Sequence, residues 1–132
     1  MANEAVCIET PTEFARYTCA DGTAIPIGTI LQLTDPHTAS ATSGDGQTFA
    51  GICWVEKTAS DGITEVVVAK NGTWDLKDAG AGVTVGGIVS VGGANLIKKA
   101  TEAEMVTGDI IGKAEETAAV SEVIRVKVGR IC

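Results

Sequence analysis

The feature that most constrains this chain is that its sequence is written twice. The stretch Ile25-Pro-Ile27-Gly28-Thr-Ile30-Leu31-Gln-Leu33 is matched by Val83-Thr-Val85-Gly86-Gly-Ile88-Val89-Ser-Val91. Each is an apolar alternation, a glycine, and a second alternation. The flanking segments match in the same order. Tyr17-Thr-Cys19-Ala-Asp21 falls on Trp74-Asp-Leu76-Lys-Asp78, and Phe49-Ala-Gly51-Ile-Cys53 on Ile110-Ile-Gly112-Lys-Ala114. Glu56-Lys-Thr58-Ala59 falls on Glu115-Glu-Thr117-Ala118, and Thr64-Glu65-Val66-Val67-Val68 on Ser121-Glu122-Val123-Ile124-Arg125. The offsets drift from 57 (Tyr17 to Trp74) through 58 (Gly28 to Gly86) to 61 (Gly51 to Gly112), as small loop insertions would make them. Two copies are too few for a solenoid or a propeller. Two β units that each have one apolar face can close on each other, burying both faces and shielding their edges. A glycine in mid-strand marks a bulge or sharp bend. The expectation is a mainly β fold: a compact β-barrel or β-sandwich of two pseudo-repeated halves with a pseudo-two-fold. The arm spans residues 1–12 and a single β domain spans 13–132, with repeats at approximately 13–70 and 71–132.

The local signals agree with a β reading. Strand candidates are 14–19, 23–33, 48–57 and 64–70, the last being strongest because its run is β-branched. Another begins at Trp74. Residues 34–47 and 92–100 read as loops, and 60–62 as a tight turn. Asn71-Gly72 is a dipeptide favoured in two-residue hairpins. At most one short helix is expected, where Thr101 and Glu104 form a capping box and Gly108 would end it.

Composition narrows the function. The net charge is −7, and the ten basic residues are scattered apart from Lys98-Lys99, which reads as a solvated pair. A nucleic-acid binder needs clustered Lys and Arg to displace counterions, so no nucleic acid is expected as partner. No apolar run approaches the length of a membrane span, and Met-Ala-Asn-Glu lacks the basic start and apolar run of a secretory signal. The expectation is cytosolic synthesis and no membrane partner. Cys7, Cys19, Cys53 and Cys132 show no paired zinc-type spacing, so Cys19 and Cys53 read as buried free thiols. His37, the sole histidine, lies in a turn context, Asp-Pro-His-Thr. Gly80-x-Gly82-x-x-x-Gly86-Gly87 lacks the lysine of a phosphate loop, and Gly44-Asp45-Gly46 offers one carboxylate where calcium needs several oxygens. No catalytic residue, cofactor or metal is assigned. What remains is surface. Trp74 reads as core, whereas Trp54 is a candidate interface anchor, since tryptophan is enriched at binding hot spots.

The run 21–36, then Phe49-Ala-Gly51, Glu56-Lys-Thr-Ala59, Asp61-Gly62, Gly112-Lys-Ala114 and Glu116-Thr-Ala118, resembles the capsid decoration (cement, head-stabilising) proteins of tailed phages. The resemblance covers roughly 15–128 and is one of whole-chain pattern rather than a short motif. It implies a non-enzymatic protein, made in the host cytoplasm and carried on the outer surface of the virion. There it would bind the major capsid protein at capsomer junctions, as a homotrimer, and hold the head against packaged DNA. An N-terminal arm would contact the shell or a neighbouring copy, and Val6, Cys7, Ile8, Glu9 and Thr10 have the alternation for such an arm. Two other classes fit the residues: another virion part, such as a head fibre or tail tube, and a soluble β ligand-binding module.

Overall fold

The computed structural model describes residues 4–80, 82–107, 109–119 and 121–129. Its elements are β1 (Val6–Glu9), β2 (Phe14–Thr18), β3 (Ile30–Thr34), β4 (Thr38–Ala41), β5 (Phe49–Cys53), β6 (Glu65–Ala69), β7 (Gly72–Asp78), β8 (Ile88–Gly93), β9 (Leu96–Lys99), α1 (Glu102–Thr107), β10 (Gly112–Ala114) and β11 (Val123–Val128). The fold is mainly β and doubled, as the repeat requires. Each copy, however, closes on itself. Strands β2-β4-β3-β5-β6 form one closed barrel. Strands β7-β9-β8-β10-β11 form a second, sealed by the parallel β7–β9 pairing just as β2–β4 seals the first. Five strands with alternating inward residues leave an interior that side chains alone can fill.

Strand registers fix which residues correspond. Leu31 lies opposite Gly51 as Val89 lies opposite Gly112, so the central blocks match as the sequence aligned them. The outer blocks slip. Tyr17 pairs with Val66 and Leu76 with Ile124, so Tyr17 corresponds to Leu76, and Trp74 corresponds to Ala15. Lys57 bridges Ile25 where Ala118 bridges Val83. The closing strands shift by one, Val68 matching Val126.

Local structure also departs from expectation in physical ways. Gly28 is not a mid-strand bend. It sits at +89° in φ in a turn closed by the Thr29 N–H on the Pro26 carbonyl at 3.2 Å, and Gly86 repeats it at +82°. Residues 34–47 and 92–100 are not plain loops, since each contains a strand, β4 and β9. Asn71-Gly72 does not close a hairpin: β6 pairs with β2 and β5, and Gly72 opens β7. The dipeptide is the joint between the barrels. The capping box is present, the Thr101 N–H reaching Glu104 Oε1 at 2.9 Å and the Glu104 N–H reaching Thr101 Oγ1 at 3.2 Å. Gly108 lies outside the described residues.

The barrels do not meet as a two-fold pair. Ile30, Ile52 and Ala69 on the outside of the first barrel are buried in the same cluster as Trp74, Leu76 and Val91 of the second. Their counterparts by register are Ile88, Lys113 and Lys127, and the two lysines face solvent. Different faces therefore form the contact. Polar groups fix its geometry. The Ile30 N–H donates to Asn95 Oδ1 at 2.9 Å, and the Asn95 N–H donates to Thr42 Oγ1 at 3.1 Å, all of it buried. The Gly46 N–H reaches the Val91 carbonyl at 2.9 Å, and Thr48 Oγ1 donates to Asp109 Oδ1 at 2.8 Å. Lys98, expected to be solvated, is instead mostly buried and ion-paired with Asp45 of the first half and Glu104 on α1. The buried Ile30–Asn95–Thr42 contacts specify one docking geometry, because leaving either of them unpaired away from water costs more than it gains.

Candidate interaction surface

The arm does not hang free. The Ala5 N–H donates to the Gly28 carbonyl at 2.7 Å, and a Cβ at Gly28 would run into the Ala5 carbonyl. Beyond Ala5 the chain crosses to the other barrel and adds β1 antiparallel to β7, with Val6 opposite Asp75, Cys7 opposite Trp74 and Glu9 opposite Thr73. Glu9 accepts a hydrogen bond from the Thr73 hydroxyl. The return is fixed by Asn71, whose Oδ1 accepts the N–H groups of Thr12 and Glu13 at 2.8 and 3.0 Å. The arm therefore straps both halves, using the edge of β7 below the point where β9 takes over. Residues 1–3 lie outside the described residues.

This placement gathers the sequence candidates. Cys7 packs half-buried against the second core, beside Trp74. Trp54 leaves the end of β5 and meets Trp74 edge-on at 6.1 Å between ring centres, and it meets Phe14 at 5.4 Å with the ring planes tilted by 55°. Val6 and Ile8 turn outward, 58% and 38% exposed, and Thr10 is exposed beyond them. Three further exposed apolar residues were not picked out from the sequence: Phe14, Ile27 and Val55. Ile27 precedes Gly28, whose N–H binds the Cys53 carbonyl and whose carbonyl holds Ala5. The signal available for Ile27 was the repeat itself. Its counterpart Val85 is also apolar and exposed, though neither turn needs an apolar residue there.

The titratable groups are arranged for structure. Burial pushes the Cys53 thiol up to about 12, with the nearby Glu56 charge adding to it. Burial also raises Cys19 and Cys7, so all three stay protonated at neutral pH and are poor nucleophiles. Cys132 lies outside the described residues. His37 is an exposed turn residue with φ +52°, its ring 5.2 Å from that of Tyr17. Two buried charges close corresponding barrel ends, where the loop after β2 or β7 meets the loop before β6 or β11. In the first barrel Lys57 Nζ donates to the Asp21 and Thr58 carbonyls at 2.7 and 2.9 Å and to Asp61 Oδ1 at 3.2 Å. In the second, Asp78 Oδ2 accepts from the N–H groups of Gly80, Gly82 and Ser121 at 3.0, 2.9 and 3.3 Å. Both tie loops together. Among the described residues no group of three His, Cys, Asp or Glu side chains is placed to hold a metal ion, and no helix is long and apolar enough to cross a membrane.

No protein-family model matches the chain, and no curated protein matches it either.

Proposed function

We propose that this protein is a non-enzymatic capsid decoration protein that binds the outer surface of an icosahedral virion head and stiffens it. The whole-chain residue pattern suggests the class. The observation that carries the reading is the set of apolar side chains left exposed on the arm strand and beside Trp54: Val6, Ile8, Phe14 and Val55. A rigid double barrel loses little entropy on docking, and a net charge of −7 keeps free copies soluble. The partner in this reading is the major capsid protein, engaged by Val6, Ile8, Phe14 and Trp54 in a homotrimeric assembly.

The test is to mix purified protein with expanded, undecorated heads of the source virus. Stoichiometric binding and a higher disruption temperature are expected; absence of both refutes the proposal. Replacing the exposed pair Val6→Ser and Ile8→Ser is expected to weaken binding about tenfold or more with Tm unchanged. Rings or tubes in negative stain would assign the chain to a tail tube instead, and saturable glycan binding by a monomer would make it a ligand-binding module.

A further inference from the structure

We infer that the outer edge of β2 at Phe14–Arg16 is a docking seam for an extended strand supplied by another protein. Backbone geometry carries this. The Lys70 N–H donates to the Glu13 carbonyl at 2.9 Å and the Cys19 N–H to the Thr64 carbonyl at 2.8 Å. In an antiparallel ladder this alternation commits the backbone groups of residues 13, 15, 17 and 19 to the β6 side and turns those of Phe14, Arg16 and Thr18 the other way. Thr18 is satisfied there, its N–H reaching the His37 carbonyl at 2.9 Å beside the single β2–β4 register point, Thr18 opposite Thr38. Phe14 and Arg16 face no strand among the described residues.

The second barrel shows what such a seam accepts. The counterparts of Phe14 and Arg16 are Thr73 and Asp75, and these are the residues that β1 covers. One chain has two equivalent seams and one arm, and the arm is placed on β7. A second copy has the same count, its arm already in use. The strand for β2 therefore comes from a different protein. Its side-chain chemistry is also set. An open depression of about 380 Å³ lies next along β2, lined by Tyr17 and by Leu33, Thr34, Asp35 and His37 at the end of β3 and its connection to β4. Ala15 stands where the second barrel has Trp74, so the inward residue of an added strand has room. Arg16 is exposed with no carboxylate within ion-pair distance among the described residues, whereas Asp75 holds its place on β7. The fitting strand thus runs antiparallel to β2, with an apolar residue pointing inward and an acidic one against Arg16. Main-chain pairing supplies affinity and the pocket supplies selectivity.

The inference stands apart from the capsid reading, because its test needs no shell. The probe is a synthetic peptide of residues 4–12 carrying Val6→Asp and Cys7→Val, which keeps the frame that fits the counterpart seam and sets an acid against Arg16 and an apolar side chain inward. In isotope-labelled protein, saturating peptide is expected to shift Phe14, Arg16, Leu33 and His37 and to slow amide exchange at Phe14 and Arg16 about tenfold or more. Arg16→Pro removes an edge donor that β6 does not use and is expected to abolish those shifts; the exchange data on unmodified protein stand alone if that variant misfolds. No shift at β2, or shifts confined to Thr73 and Asp75, overturns the inference. So does slowed exchange at Phe14 and Arg16 on concentrating the protein alone, which would make the occupant a second copy.

Discussion

The two barrels share one topology and fill it differently. The second is packed with large aliphatic side chains around Trp74; Ile97 and Ile111 stand where the first has Ala39 and Ala50. The first compensates with Tyr17 in place of Leu76, and with Lys70, whose Nζ donates to the Tyr17 hydroxyl at 2.8 Å, in place of Val128. The barrel ends are closed with opposite signs: a buried cation collecting carbonyls in the first, a buried anion collecting N–H groups in the second. A repeat thus constrains backbone path and turn geometry far more tightly than it constrains the means of filling the interior.

The largest expected break in that comparison is at Trp74. Trp74→Ala should cost about 3–5 kcal/mol in denaturant unfolding, since it empties the centre of the packed barrel and its neighbours cannot collapse into the space. A loss under about 1 kcal/mol would show that the second barrel does not depend on its largest side chain. Next come the paired turns. Gly28 and Gly86 have like φ, but only Gly28 is crossed by the arm, while a Cβ at Gly86 meets nothing within 4 Å. Gly86→Ala should cost about 1 kcal/mol for the left-handed backbone alone. Gly28→Ala should cost about 3 kcal/mol, the excess being the displaced strap. Equal costs would mean the strap adds nothing.

The smallest effect is the acid response of the first barrel. The Ile63 N–H at 2.9 Å holds the Asp61 carboxyl down at about 2 against an ordinary 3.8, burial opposing it and Lys57 and Thr58 assisting. Burial alone would lower the Lys57 ammonium, but the Asp61 and Asp21 carboxylates outweigh it and leave its pKa raised. The Asp61 contribution is complete above pH 3.8 and is lost as pH falls toward 2. Asp61→Asn should flatten that part of the stability–pH profile, measured by thermal unfolding in steps across this range. A slope identical to that of the unmodified protein would remove the cage from the acid response.

Several of these features were legible in the residues. The doubled unit, the matched positions of Gly28 and Gly86 and the capping box at Thr101 follow from periodicity and side-chain chemistry, although the two glycines lie in turns and not in mid-strand. Strands β4 and β9 were not, because Thr38–Ala41 is small and polar and Leu96–Lys99 ends in two lysines, both amid turn formers. Asn71-Gly72 misled because its local preference for tight turns was overridden by barrel closure on either side. Trp74 was aligned to Tyr17 because both are aromatic, although the strand register places Leu76 there. Of the candidate surface, Val6, Ile8 and Trp54 were readable from alternation and residue type. The buried bolt of Asn95 and Thr42 was not, since a polar residue bears no mark of burial until its partner is known.

The strap has a consequence for how the molecule is made. The strand that covers the edge of β7 is synthesised before either barrel, and its place does not exist until Thr73, Trp74 and Asp75 have followed it. During that interval the first barrel has all five of its strands and can close, trailing an apolar, alternating ribbon with no lodging. Nascent chains of this protein therefore pass through a stage in which a finished half carries an unsated edge-seeker. Crowded polysomes are where exchange of that ribbon between neighbouring chains would begin.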